Sequence, residues 1–416
     1  MSHTFKQSGH MHRWSPWLVV VVSALLVSLP LMAAILPEDR ADALFHSYDG
    51  GGAEIHGPSI MARKEVGSHF SFWTNYYMDF ISSATIDIKT FASPYTEQRR
   101  QYTVAGDYLN QNSTLSFSYT NSEESDYSAD TYSFDLSQNM FGDLTTVSLG
   151  FSRGINEVRR NNYAFTDGGK HIESSDTVGN ADRWQYRVNW SQILTKDFIV
   201  NLGYEAVTDE GYLNNPYRSV AIADPETPDL PDDIRLVVFG SESGHYPKTH
   251  TSNAFSVKGK YYLPWRAALE AEYRSYSDSW GITANMYEFA VTQPIKKHLT
   301  FDLHYRAYSQ TAANFYSNLF PSEKVYMGRD KELSAFTNTT IGGAVSYEFM
   351  RKGWWIFDKG SLNLSYDRIQ LNYDNFLDES SVKTKDNPSP TVAEWTSAEP
   401  YSFSTDVIQL YLSVWY

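Results

Sequence analysis

Three histidines beyond the apolar amino-terminal run, His46, His56 and His69, are side chains whose type suits a metal. Spacings of ten and thirteen residues match no compact ligand pattern, so they read as scattered surface histidines. Two acidic stretches come next: Glu123, Glu124, Asp126 and Asp130, then Asp224, Glu226, Asp229, Asp232 and Asp233. Hard cations take oxygen ligands, and either stretch could hold Ca²⁺ or bridge lipopolysaccharide through divalent ions. Neither has the fixed spacing and turn glycine of a dedicated loop, so both read as solvated loop charge. The glycines of "YDGGGAE" (Tyr48 to Glu54) lack the lysine and following helical pattern of a phosphate loop. The chain has no cysteine, which removes thiolate nucleophiles and thiolate metal sites. No Ser, His and acid set aligns either. The expectation is a protein that is not an enzyme, with no catalytic residue, no resident metal and no cofactor.

A different kind of chemistry is more persistent. Arg187, Glu205, Lys258, Lys260, Glu270, Glu272, Arg274, Asp302, His304 and Arg306 all fall on the polar side of segments whose alternate residues are apolar. Unpaired charge in a low-dielectric core costs several kcal/mol, so a face this charged must be wet or ion-paired. These ten are the expected lining of a pore, or of a plugged barrel whose charges form a network. A second set lies in "TDEGYLNNPYRSV" (Thr208 to Val220), where Asp209, Glu210, Tyr212 and Arg218 surround Asn214, Asn215 and Pro216. Asn and Pro build tight turns, so this stretch reads as a compact recognition or gating loop, or as a turn that pins a strand end.

The elements that must position these residues are strands. "RWQYRVNWSQ" places Trp184, Tyr186, Val188 and Trp190 on one face and Gln185, Arg187, Asn189 and Ser191 on the other. The same period of two recurs at Phe198 to Tyr204, Leu269 to Tyr273, Leu299 to Tyr305 and many other places. Each segment runs roughly 9 to 11 residues, enough for a tilted strand to cross a bilayer. Tight turns at Asn110 to Ser113, Leu194 to Asp197, Leu263 to Arg266 and Gln293 to His298 alternate with long polar stretches. The long ones are Gly154 to Asp182, Glu210 to Lys248, Thr311 to Glu332 and Asn375 to Tyr401. Two kinds of connection imply two sides of a membrane. The fold expected is all-β: a transmembrane antiparallel barrel with short periplasmic turns and long extracellular loops. An exported chain that begins and ends in the periplasm needs an even strand number, so the clear segments, about fifteen, imply about 16, with 14 as the alternative. The missing strand is expected before "GGG" in "ALFHSYDGGGAEIHGPSI" or within Ala84 to Phe91.

Both ends of the chain agree with export. Lys6, His12 and Arg13 precede the apolar run "WSPWLVVVVSALLVSLPLMAAI", bounded by Ala33 and Ala34, in the manner of a secretory signal over residues 1–34. A second small-residue site at Ala41 and Ala43 leaves the cut open between Ala34 and Ala43. Residues 35–50 would be a periplasmic segment, a plug or the first strand, and 51–416 the barrel. At the other end Ile408, Leu410, Leu412, Val414 and Tyr416 form one apolar face, which a closed barrel would turn toward lipid. A mean hydropathy of -0.44 excludes a polytopic helical membrane protein. A net charge of -15 argues against a nucleic-acid partner.

Several stretches resemble the outer-membrane family called domain of unknown function 3570. They are "PEDRADALFHSYDGGG" (Pro37 to Gly52), Thr120 to Gly154, "TDEGYLNNPYRSV" (Thr208 to Val220), "KYYLPWRAALEAEYR" (Lys260 to Arg274) and "RDKELSAF" (Arg329 to Phe336). The resemblance implies an outer-membrane barrel and brings no catalytic residue. The tail likewise resembles the carboxy-terminal strand signal of bacterial outer-membrane proteins, which implies that the barrel-assembly machinery reads those five residues. The function expected is a porin-like channel for small polar solutes or ions in the bacterial outer membrane. The alternative is a non-conducting barrel that anchors another envelope protein, and an outer-membrane hydrolase ranks third. Outer-membrane lipid and lipopolysaccharide are the expected surroundings.

Overall fold

A computed structural model describes residues 35–83, 95–166, 169–223, 234–238, 246–350, 353–382 and 391–416. The wall begins with β1 (Arg40–Gly50), β2 (Ala53–Val66), β3 (Phe70–Ser83), β4 (Tyr95–Asn110) and β5 (Ser113–Glu123). It continues through β6 (Tyr127–Met140), β7 (Thr145–Thr166), β8 (Gly169–Thr195) and β9 (Phe198–Gly211). A small hairpin, β10 (Ser219–Ala223) with β11 (Ile234–Val238), stands apart from the wall. The wall resumes with β12 (Thr249–Tyr262), β13 (Ala268–Asp278), β14 (Thr283–Ile295) and β15 (Leu299–Gln310). It ends with β16 (Phe336–Phe349), β17 (Lys359–Leu377) and β18 (Pro400–Trp415). Sixteen of these strands close into one antiparallel barrel, β18 pairing with β1 from Arg40 opposite Trp415 to Gly50 opposite Thr405. Closure leaves no unpaired edge, the condition for backbone to cross hydrocarbon. One helical turn, α1 (Val392–Thr396), is closed by a capping box between Thr391 and Glu394.

The period of two decides which face is which. Leu303 (67% exposed), Ile341 (63%), Phe289 (58%) and Leu410 (43%) point outward, while their neighbours in sequence are less accessible and face the interior. In water so broad an apolar exterior would be costly at about 25 cal/mol per Å², and in lipid it is the favoured state. Its boundary toward the rim opposite the termini is marked by a repeated diagonal. Tyr119, Tyr204, Tyr273 and Tyr366 each donate to an Asn or Asp on the next strand, opposite the residue two positions further along. The distances, 2.6 to 2.7 Å, are those of good hydroxyl hydrogen bonds. A ring in hydrocarbon with its hydroxyl held by a polar group is the amphipathic arrangement that suits a membrane interface.

One sequence expectation about the wall is met, a strand before the triple glycine, and another changes. Both sides of the triple glycine are strands, so residues 35–50 contribute the first wall strand from Arg40, and Ala53–Val66 contributes a second. The turn between them uses Gly51 and Gly52, both at positive φ (60° and 79°). The alternative site at Ala84 to Phe91 lies outside the described residues. The stretch from Gly154 to Asp182, expected to be a loop, is largely strand: β7 and β8 stay paired from Thr145 opposite Gln192 to Thr166 opposite Gly169. They project as a hairpin past the tyrosine diagonal, with Asn156, Val158, Asn161 and Ala181 buried on the way.

Candidate functional site: the lumen wall and the far mouth

All ten charged residues of the expected lining face the interior, and the wall pairs most of them sideways. Lys258 Nζ lies 2.8 Å from both Glu270 Oε1 and Glu272 Oε2, and Lys260 lies 3.5 Å from Glu270. Glu205 accepts from Arg274 at 2.9 Å and from Gln185 at 2.8 Å. Asp302 accepts from Thr292 at 2.5 Å, and Arg306 stands opposite Glu288 in register. Several pairs reach across a whole intervening strand, Arg274 to Glu205 over β12 among them, and two do so over a glycine. His304 on β15 and Asp367 on β17 are 3.1 Å apart, with Gly342 of β16 between them in the same row. Arg187 on β8 meets Asp135 on β6 at 3.0 Å over Gly150 of β7. A methyl group on Gly150 would stand 2.5 Å from Asp135 Oδ1 and 2.9 Å from Arg187 Nε, and one on Gly342 would overlap the Asp367 carboxylate. Each glycine is the gap through which its neighbours touch.

Sequence reading missed the partners. Asp135 and Asp367 sit on alternating strands like the rest, but nothing local says which charge on a strand two places away will meet them. His46 is the clearest correction. Expected at the surface, it is 4% exposed, stacked on Tyr77 with ring centroids 5.2 Å apart, and its Nε2 lies 2.7 Å from Asp79 Oδ1. His56 and His69 remain exposed or nearly so. Arg63 and Asp107 add a further interior pair at 2.5 Å.

Beyond the tyrosine diagonal the interior face gathers a second group. His250 is held between two carboxylates, Asp209 at 3.3 Å and Asp278 at 2.9 Å, and Tyr276 donates to Asp278 at 3.0 Å. Arg183 lies 3.8 Å from Asp209. Glu124, expected to be solvated, is instead enclosed beside Arg99 at 3.9 Å. Burial, with the charges of Asp126, Glu97 and Asp79, pushes its carboxyl up to about 7 against the pull of Arg99. Asp126 is also raised, chiefly by burial. Asp224 to Asp233 lie outside the described residues.

The long connections fold together over this mouth. Leu213, Val220, Ile222, Tyr246, Phe315, Phe320, Met327 and Leu333 form a buried apolar cluster, with Tyr276 of the interior wall packed against it. Because Tyr276 faces inward, the cluster sits on the lumen side of β13. A second cluster around Tyr373 and Phe376 takes in Phe336, Tyr401 and Phe403, again interior residues. Tyr316 packs against both clusters. The loop candidates belong to this cap. Buried Asn214 accepts from the Tyr246 backbone N–H at 2.9 Å, and Asn215 accepts from the Tyr217 N–H at 2.9 Å in an Asx turn. Arg218 reaches Asp330 at 3.4 Å, while Tyr212 fits against Gly179 of β8. Glu210 stays in the wall, opposite Thr249. A buried ion pair, Arg329 with Glu379, ties the connection after β15 to the one after β17.

A search of curated proteins finds no match. Among solved structures the chain is similar to the siderophore receptor PirA from Pseudomonas aeruginosa, with 10% identity and a TM-score of 0.41. That match covers 80% of this chain and 56% of the receptor, so the chain spans little more than half the receptor's length. It is similar also to CdiB from Acinetobacter baumannii, at 8% identity over 90% of this chain and 60% of that one, TM-score 0.45. A loop-deletion mutant of OmpT, an outer membrane protein of Vibrio cholerae, matches at 10% identity over 91% of this chain and 98% of that one, TM-score 0.37. The barrel rests on its own strand pairing and not on these likenesses. One sequence-level match goes further. The family model described as "Protein of unknown function (DUF3570)" matches residues 67–360, from the turn before β3 to the start of β17, and the chain belongs to that family.

Proposed function

We propose that the protein is an outer-membrane barrel acting as a porin-like channel for small polar solutes or ions. The observation that carries this reading is the direction of the interior ion pairs. They run sideways within the wall, as His304 to Asp367 and Lys258 to Glu270 do, and among the described residues they do not run inward to a central plug. A wall neutralised in its own plane can border water. The folded connections over the far mouth would then narrow the entrance and select what enters. No catalytic step is assigned to any residue. Purified protein in planar bilayers is expected to give discrete conductance steps, and their absence from a correctly folded preparation defeats the reading.

The same cap favours a second reading, a non-conducting barrel that displays its far surface to another envelope protein. Crosslinking in cells separates the two: a stoichiometric protein partner together with absent conductance supports display. In either case export through a signal peptide over residues 1–34 is proposed, with lipopolysaccharide around the outer belt. The barrel-assembly machinery would read Ile408, Leu410, Leu412, Val414 and Tyr416. A cut after Ala34 leaves β1 whole, whereas a cut after Ala43 removes Arg40–Ala43 and their pairing with Leu412–Trp415. The mass of the mature amino-terminal peptide decides between them.

A further inference from the structure

We propose that the far mouth carries a saccharide-binding cleft, distinct from the charged lumen wall. Its volume, about 610 Å³, lies within the ~300–1,000 Å³ of small-ligand sites. One wall is the β13–β14 turn, where Trp280 stands edge-on to Phe315 at 5.2 Å between ring centroids. The opposite wall is a flap. Residues 321–326 are all exposed, while Phe320 (2%) and Met327 (0%) at its two ends are buried in the cap. Pinned in this way, the flap holds Val325 (80% exposed) and Tyr326 (47%) in water beside the cleft. Grouped with Trp280 and Tyr316 around the same cleft, these exposed side chains form a contiguous apolar lining of the kind that meets a ligand.

The chemistry between the walls narrows the ligand. Exposed Asn314 and Ser279 bring an amide and a hydroxyl beside the rings, Lys324 supplies a cation, and no carboxylate lines the cleft. A sugar ring matches this mixture, with C–H faces for aromatic planes and hydroxyl edges for amide and hydroxyl partners. An acyl chain would leave the Asn314 amide desolvated without a partner, and would bury the Lys324 ammonium, which lies over the Phe320 ring at 5.7 Å. A nucleic acid is opposed by the net charge of -15. The cleft also joins the lumen chemistry physically, because the Trp280 ring lies 4.3 Å from that of His250, which faces the interior between Asp209 and Asp278. Sugar held there stands at the entrance.

The test uses the full chain in detergent micelles, with maltotriose, cellotriose, chitotriose and trigalacturonate as probes, read by calorimetry and tryptophan fluorescence. A mixture of short peptides serves as the competing class. At least one trisaccharide is expected to bind, and Tyr326→Ala and Asn314→Ala, both at exposed positions, are each expected to weaken it by about five- to tenfold. Heat-modifiability on gels shows that each variant is still a folded barrel. The proposal is overturned if folded wild type binds none of the four sugars, if both variants bind as wild type does, or if only peptides bind. Binding without conductance would remove the channel reading and leave the cleft standing. Conductance without sugar binding would do the reverse.

Discussion

His304 and Asp367 touch at 3.1 Å through the space that Gly342 leaves open on the strand between them. The contact depends on a missing side chain, so the smallest addition tests it. Gly342→Ala is expected to force the pair apart and to lower the unfolding midpoint, with a cost of about 1–3 kcal/mol for overpacking and an unpaired interior carboxylate. Gly154→Ala is the control, since a methyl group there meets Arg183 Cβ at an ordinary 3.6 Å. Thermal unfolding followed on gels should separate the two variants clearly.

Lys258 neutralises two carboxylates at once, Glu270 and Glu272. Lys258→Gln keeps a polar side chain, one atom shorter, and removes the charge that faces Glu270 and Glu272. If the barrel conducts, the reversal potential in a salt gradient is expected to move toward cation selectivity, and the change should shrink at high salt as screening shortens. An unchanged reversal potential in a conducting variant would place Lys258 off the ion path.

Glu124 supplies a pH dependence with a definite sign. Its carboxyl is raised to about 7 in the folded mouth from 4.5, so between these values the folded state holds a proton that the unfolded state has lost. The contribution to stability is therefore full below about 4.5 and declines as pH rises toward 7. Thermal midpoints of wild type should fall over that window relative to Glu124→Gln, which carries no titrating group there. A parallel pH profile in the two proteins would contradict the burial of this side chain.

Arg329 and Glu379 are both almost wholly buried and join two of the long connections. Removing one member leaves the other buried without its ion-pair partner, a loss of about 3–5 kcal/mol. Arg329→Ala is thus expected to loosen the cap and leave the membrane-embedded wall intact. Limited proteolysis should then cut the connections after β15 and β17 sooner, with no change in heat-modifiability. Asn215→Ala is expected to loosen the neighbouring Asx turn in the same direction and by less, because one neutral acceptor is lost.

The wall was legible wherever lipid touches it. Leu410 alternating with Gln409 and Tyr411 reports a strand with two different surroundings, and no tertiary knowledge is needed. The first strand was placed before the triple glycine only as one of two sites, because its outward residues include Ala41, Ala43, Ser47 and Asp49, while Leu44 and Tyr48 face inward, so its apolar alternation is weak or reversed. The far half of β7 and β8 escaped for a related reason: beyond the tyrosine diagonal polar residues such as Asn156 and Asn161 occupy buried positions, and the apolar period of two disappears. The inward direction of the ten charged residues followed from alternation alone. Their partners did not, since an ion pair that spans three strands is set by register, by shear and by a glycine in the middle. Burial of Glu124 was hidden for the same cause, being decided by Arg99 on the neighbouring strand and not by the acidic run in which it sits.

The seam between β1 and β18 has a consequence for biogenesis. The two strands that complete the ring are the first and the last wall strands in chain order, so one is made before and the other after all the rest of the wall. Until β18 is available, β1 and β17 each expose a raw hydrogen-bonding border, and every intermediate is an open ribbon whose margins invite pairing with other chains. Holding those margins apart between ribosome and membrane is a task for chaperones, because no earlier fragment of the chain can finish the ring by itself.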